Sequence, residues 1–139
     1  MEFEGEYLYN KKYNGKGYDE NGNIIYELIN GKGKVKEYNE YDKLEFEVEY
    51  LNGKRNGKGK EYDNGKLLFE GEYINGLRNG KGKEYNSYNG KLIFEGEYLN
   101  GNMWNGKKKY MKGYDLVEIE YLNGKVRNLK KIKSHLYEL

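Results

Sequence analysis

The chain has 139 residues, 36% of them hydrophobic and 35% charged, with a mean hydropathy of -1.15 and a formal net charge of +2. So little apolar mass argues against a thick two-layer core, and the absence of cysteine excludes a disulfide framework and any thiolate zinc site. The near balance of charge gives no strong pull toward nucleic acid or membrane.

What apolar mass exists is aromatic: 17 Tyr, 4 Phe and 1 Trp stand among 20 Gly, with no Pro. That vocabulary suits strands and turns. The amino-terminal stretch MEFEGEYLYN lacks a basic region followed by an apolar one, and no window approaches the roughly eighteen apolar residues of a membrane span. A soluble intracellular protein is therefore expected.

One phrase recurs along the chain. Aligned on its first apolar residue it starts at Phe3, Tyr26, Phe46, Phe69, Phe94 and Val117, separated by 23, 20, 23, 25 and 23 residues. A period in this range marks a stacked repeat array. In the fourth copy, Phe69, Gly71 and Tyr73 alternate with Glu70 and Glu72, the two-residue period of a strand with one aromatic and one charged face. Asn75-Gly76 then supplies a turn, and a second strand follows through Gly80-Lys81-Gly82-Lys83. Each unit reads as a β-hairpin. The rings are expected to lie across the glycines of the neighbouring strand, and Glu70 and Glu72 to face Lys81 and Lys83 on the opposite side. A single unit cannot bury enough surface to offset the entropy of ordering it, so stability must come from stacking on the next unit.

The departures are taken in chain order. Asp19, Asn21 and Asn23 begin like a calcium loop, but the glycine is misplaced and Asn30 stands where the closing Glu is needed, so a hairpin turn is expected. The second copy, YELINGKGKVKEY, is three residues short, which predicts a tight turn at Asn30-Gly31. In the fifth, GNMWNGKK (residues 101–108), the loop reads as enlarged by one residue, with Lys108 at the place of the second glycine. Its likeness to a phosphate loop fails because Lys108 replaces the Ser or Thr that holds magnesium. Leu129, Ile132, Leu136 and Leu139 share one helical face, so residues 129–139 are read as a basic amphipathic capping tail, a short helix, after a repeat array over 1–128. His135 and Ser134 are neighbours without a triad, and no residue is assigned to catalysis, a cofactor or a metal.

The spacing Phe69-x-Gly71-x-Tyr73-x-x-Gly76-x-x-x-Gly80-x-Gly82 resembles the MORN repeat, the membrane occupation and recognition nexus motif. The resemblance extends from residue 3 to about 128, with Val48 in place of the first glycine of the third copy. Tyr7, Tyr50, Tyr73, Tyr98 and Tyr121 stand where the family usually has Trp. The ending Lys60 to Leu67 is similar to the MORN-variant repeats of bacterial antitoxin-like proteins.

The fold expected is all-β: an elongated, single-layer, twisted antiparallel sheet of tandem hairpins with the capping helix. The resemblance implies a trough with first-strand aromatics on its concave face, and a non-enzymatic scaffold or adaptor that holds a partner protein's segment, sometimes with self-association. The candidate partner-binding residues are Tyr50, Tyr73, Tyr98 and Tyr121 with Phe46, Phe69 and Phe94, and Arg55, Arg78, Met103 and Trp104 on the rim. Two alternatives are an anionic phospholipid surface met by Lys54, Arg55, Arg78 and the tail lysines, and a toxin-neutralising partner. Single-stranded nucleic acid is disfavoured because glutamates alternate with the lysines.

Overall fold

The computed structural model describes residues 2–134. Within them the chain is all-β, with twelve antiparallel strands and no helix. The strands are β1 (Glu2–Leu8), β2 (Lys11–Tyr18), β3 (Ile24–Leu28), β4 (Lys32–Tyr38), β5 (Leu44–Leu51), β6 (Lys54–Asp63), β7 (Lys66–Ile74), β8 (Leu77–Tyr85), β9 (Leu92–Leu99), β10 (Asn102–Lys112), β11 (Asp115–Leu122) and β12 (Lys125–Ser134). Taken in pairs they are the six hairpins read from the sequence. Every ladder joins consecutive strands. The array therefore rests on contacts between nearest neighbours.

The turns follow from the Asn-Gly pairs. Asn75 and Gly76 have φ of 52° and 87°, and Asn30 and Gly31 have 53° and 74°, the left-handed pair that a two-residue hairpin turn demands. Between repeats a different device is used. Asp19 closes the β2–β3 loop by accepting bonds from the backbone N–H groups of Asn21 (2.9 Å) and Asn23 (2.8 Å). Its carboxyl is thereby held below its usual range, first by the backbone of Asn23. Asn39 repeats this with Tyr41 and Lys43. The residues that began like a calcium loop are a side-chain-closed turn.

The structure corrects the sequence reading in three places. The expected single sheet is broken into three strands, β1–β3, and nine, β4–β12. The break falls inside the shortened second hairpin, where β3 and β4 share only the Ile29–Lys32 bridge. In repeats 3 and 4 the longer second strand swings around a bulge, between Val48 and Tyr50 and between Gly71 and Tyr73. Repeat 2 lacks the residues to do so.

The capping helix is the second correction. Residues 129–134 continue strand β12, where alternate pairing with β11 sets Leu129 against Ile119 and Lys130 against Glu118. The rest of the expected helix, with Leu136, Leu139 and His135, lies outside the described residues. The third concerns repeat 5. Gly106 pairs with Gly96 as Gly82 pairs with Gly71, so Gly106 is the second glycine and Lys108 stands at the place of Glu84. The segment is shorter than its counterpart, and Met103 and Trp104 lie within β10 rather than in an enlarged loop.

The core is one cluster of Val48, Phe69, Tyr73, Phe94 and Tyr98, bordered by Phe46, Tyr50, Met103 and Tyr121. It forms on a sheet face because the Phe69 ring lies flat over bare backbone: a Cβ at Gly82 would sit 2.6 Å from that ring and 3.0 Å from the ring of Tyr98. Tyr98 of the next repeat meets Phe69 edge-on, with centroids 5.2 Å apart, and Tyr73 of the same repeat does so at 5.8 Å. Phe69 is thus enclosed by its own tyrosine and its neighbour's, as Phe94 is by Tyr98 and Tyr121.

Candidate functional site

The two faces of the sheet have different fates, and the difference begins with strand parity. On β8, Gly82 and Glu84 share the ring face while Lys81 and Lys83 point the other way.

On the ring face, an ion ladder closes over the aromatics. The Arg78 guanidinium stacks 4.0 Å from the centre of Phe69, and that of Arg55 lies 3.7 Å from Phe46. Arg78 donates to Glu61 (2.8 Å) and to Glu84 (2.7 Å), and Arg55 donates to Glu37 (2.9 Å). Tyr73 and Tyr98 add their hydroxyls, donating to Glu61 and Glu84. Burial alone would raise the Glu61 carboxyl, but hydrogen bonds from Arg78 and Tyr73 outweigh it and hold the group below its usual range. The tyrosines move upward, first from burial and then from the carboxylate each one faces: Tyr50 to about 12, Tyr73 and Tyr98 further. Arginine suits this place because its planar fork stacks on a ring and binds carboxylates at its edge at once.

The candidate residues therefore divide. Phe69, Phe94, Tyr73 and Tyr98 are 0 to 3% exposed, leaving a partner almost nothing to touch. Phe46, Tyr50, Tyr121 and Met103 are half-buried against the same cluster. Arg55 and Arg78, placed on the rim by the sequence reading, are committed to carboxylates and rings. Met103 takes the position of Arg78 in repeat 5, pairing with Tyr98 as Arg78 pairs with Tyr73. Trp104 is half-buried and folds over the next turn: a Cβ at Gly124 would lie 2.9 Å from the indole.

The open surface is the charged face. A trough of about 760 Å3 runs along it, with a floor of backbone at Gly59, Gly71, Gly82 and Gly96 and walls of glutamate and lysine. Cross-strand register sets a row of alternating sign, Lys36, Glu47, Lys60, Glu70, Lys83, Glu95, Lys107 and Glu120, one residue per strand from β4 to β11, of which Glu47 to Glu95 line the trough and the rest extend beyond it. Neighbouring strands lie about 4.8 Å apart, so like charges recur roughly every 10 Å. A second row runs alongside it, with Lys34 opposite Glu49, Lys58 opposite Glu72 and Lys81 opposite Glu97. Glu72 also accepts from the backbone N–H of Lys81 (2.8 Å) and Glu49 from that of Lys58 (3.1 Å), which fixes the carboxylates while Lys58, Lys60, Lys81 and Lys83 remain exposed. Tyr85 donates to Glu70 (2.6 Å) and is pushed up to about 12, first by that bond.

The sequence reading saw these Glu–Lys pairs as structural ion pairs and did not see the concavity they line. It also gave no role to Glu37, Glu61 and Glu84, although each sits in a Lys-Glu-Tyr triplet whose parity puts Glu with the rings. Among the described residues no group of three or more acidic, His or Cys side chains is placed to hold a metal ion. None contains a helix long and apolar enough to cross a membrane. Compared with known proteins, the chain matches no family model, and no curated protein sequence matches it.

Proposed function

We propose that this chain is a MORN-like, non-enzymatic scaffold that holds a segment of a partner protein in the charged trough. The observation that carries the reading is the alternating row that crosses eight strands on a frame whose enclosed rings, with Arg55, Arg78, Glu37, Glu61 and Glu84, are consumed in holding it together. Such a surface selects by pattern: a segment with acidic and basic side chains at matching intervals gains Coulomb energy at each rung, and one of uniform sign meets repulsion at every second rung. A toxin-neutralising role is one form of the same reading, with the toxin as the partner.

The lipid reading loses Arg55 and Arg78, whose charges are matched by Glu37, Glu61 and Glu84. The trough itself is close to neutral row by row, which disfavours an anionic surface.

The test uses the lysines as reporters. The chain is incubated with lysate from its source, cross-linked with an amine-reactive reagent, and compared with a Lys58→Glu/Lys81→Glu/Lys83→Glu variant. A partner attached through Lys58, Lys60, Lys81 or Lys83 of the wild type, and lost from a variant with unchanged circular dichroism, supports the reading. Partners attached only elsewhere, or retained equally by the variant, overturn it.

A further inference from the structure

The junctions between repeats follow one rule, and the two ends of the array are its separated halves. At every internal junction a lysine-bearing second strand lies beside the glutamate-bearing first strand of the next repeat: Lys16 against Glu27, Lys36 against Glu47, Lys60 against Glu70, Lys83 against Glu95, Lys107 against Glu120. Among the described residues, β1 has its outer edge unpaired and so has β12. β1 reads EFEGEYL, with Glu2, Glu4 and Glu6 and no basic residue. β12 reads KVRNLKKIKS, with basic residues and no acidic one.

From this complementarity we infer that the chain associates head to tail with further copies of itself, β12 of one copy pairing antiparallel with β1 of the next. The internal register dictates the contact. Lys130 faces Glu118 within its hairpin as Lys83 faces Glu70, so Lys130 takes the next copy's Glu4 as Lys83 takes Glu95. Leu129 then lies opposite Gly5 and Asn128 opposite Glu6. A bulky residue at the Leu129 position is already accommodated inside the array, where Val35 stands opposite Val48 at the equivalent place. The apolar surface agrees. Tyr7 is 58% exposed, whereas Tyr73 and Tyr98, its counterparts, are buried on the preceding repeat, and Val126 and Leu129 on β12 are 59% and 53% exposed.

Lysine on an open edge ordinarily discourages pairing, and two like edges of this chain would repel. Only the acidic edge meets the basic one without like charges in register, which forces a heterologous contact and hence an open chain of copies or a ring. A seven-residue ladder is a small interface, so the association is weak and salt-sensitive. The inference is independent of the trough reading, because it uses the sheet edges and leaves the trough free.

The experiment is sedimentation velocity from about 10 μM to about 1 mM, the range in which small interfaces assemble. The wild-type average mass is expected to rise with concentration, and a salt concentration of about 1 M, with its Debye length near 3 Å, to weaken association roughly tenfold. Two variants, Glu4→Lys/Glu6→Lys and Arg127→Glu/Lys130→Glu, are each expected to remain monomeric, and an equimolar mixture to associate again, because each unchanged edge then finds its complement. Circular dichroism of each variant verifies folding before mixing. A wild type monomeric throughout, or variants that associate as well as the wild type, overturns the inference. Binding of the monomeric wild type to phosphatidylserine vesicles, lost in Arg127→Glu/Lys130→Glu, also overturns it by giving the basic edge to a lipid surface.

Discussion

The middle of the array and its two ends are built from nearly the same phrase, yet they are sealed differently. In the middle the Phe69 ring lies on bare backbone, is enclosed by tyrosines of two repeats and is capped by Arg78 between Glu61 and Glu84. At the amino end, Lys12 sits over Phe3 at 5.2 Å and Tyr26 at 5.9 Å in place of an arginine. Tyr7 stays mostly exposed, and Gly17 occupies the position that Glu61 and Glu84 hold later. At the carboxyl end Met103 and Val126 replace the arginines and Lys108 replaces the glutamate. The comparison shows that burial here belongs to the junction between repeats rather than to any one repeat.

Replacing the same ring in the two regions separates them most. Phe69→Ala removes a fully enclosed side chain and is expected to cost about 3 to 5 kcal/mol. Phe3→Ala, at an end and half-buried, is expected to cost about 1 kcal/mol. Urea titration followed by circular dichroism measures both, and equal costs would refute the distinction.

The close approach of backbone and ring is tested next. Gly82→Val drives a side chain into the rings of Phe69 and Tyr98 and is expected to cost about 1 to 3 kcal/mol. Val35→Gly, at the equivalent position where a side chain is already accommodated, opens space instead and leaves the rings in place. The first variant should therefore change the near-ultraviolet spectrum of the tyrosines and the second should not.

Arg78→Met copies into repeat 4 what repeat 5 already has. Because Glu61 and Glu84 then lose their cation while keeping some contact with water, the expected cost is about 2 kcal/mol, below that of a fully buried pair. The pH dependence follows from the lowered Glu61 carboxyl. Its contribution is fully present above the ordinary value of 4.5 and is lost as pH falls through the depressed native value. In Glu61→Gln this part of the acid dependence disappears.

The smallest effect is alkaline. Tyr50, raised to about 12, contributes stability that is fully present below its ordinary value of 10.0 and lost as pH rises through about 12. Absorbance at a phenolate wavelength should show late-titrating tyrosines in the folded chain, one fewer in Tyr50→Phe.

Much of the architecture was legible because the phrase is periodic. Six hairpins, Asn-Gly turns, rings over glycines and Glu–Lys ladders all follow from parity and spacing. What escaped depended on register between strands. The three missing residues of repeat 2 read as a tighter turn and proved to be a break in the sheet. Gly106 aligned in sequence with the first glycine and pairs in space as the second. The tail's Leu129 and Ile132 fit a helical period as well as the irregular alternation of a bulged edge strand, and pairing with β11 decided between them. The candidate site was half legible: the rings were found, but the arginines and triplet glutamates that cover them were not assigned together, so the ring face seemed open and the charged face merely solvated.

Hydrogen exchange, read strand by strand, tests most directly the claim that junctions between complete repeats hold the array together. Protection is expected to be greatest in β6 to β9 and to fall toward both ends, with β1 to β3 and β12 exchanging first. Uniform protection along the chain, or a maximum in either terminal hairpin, would contradict it.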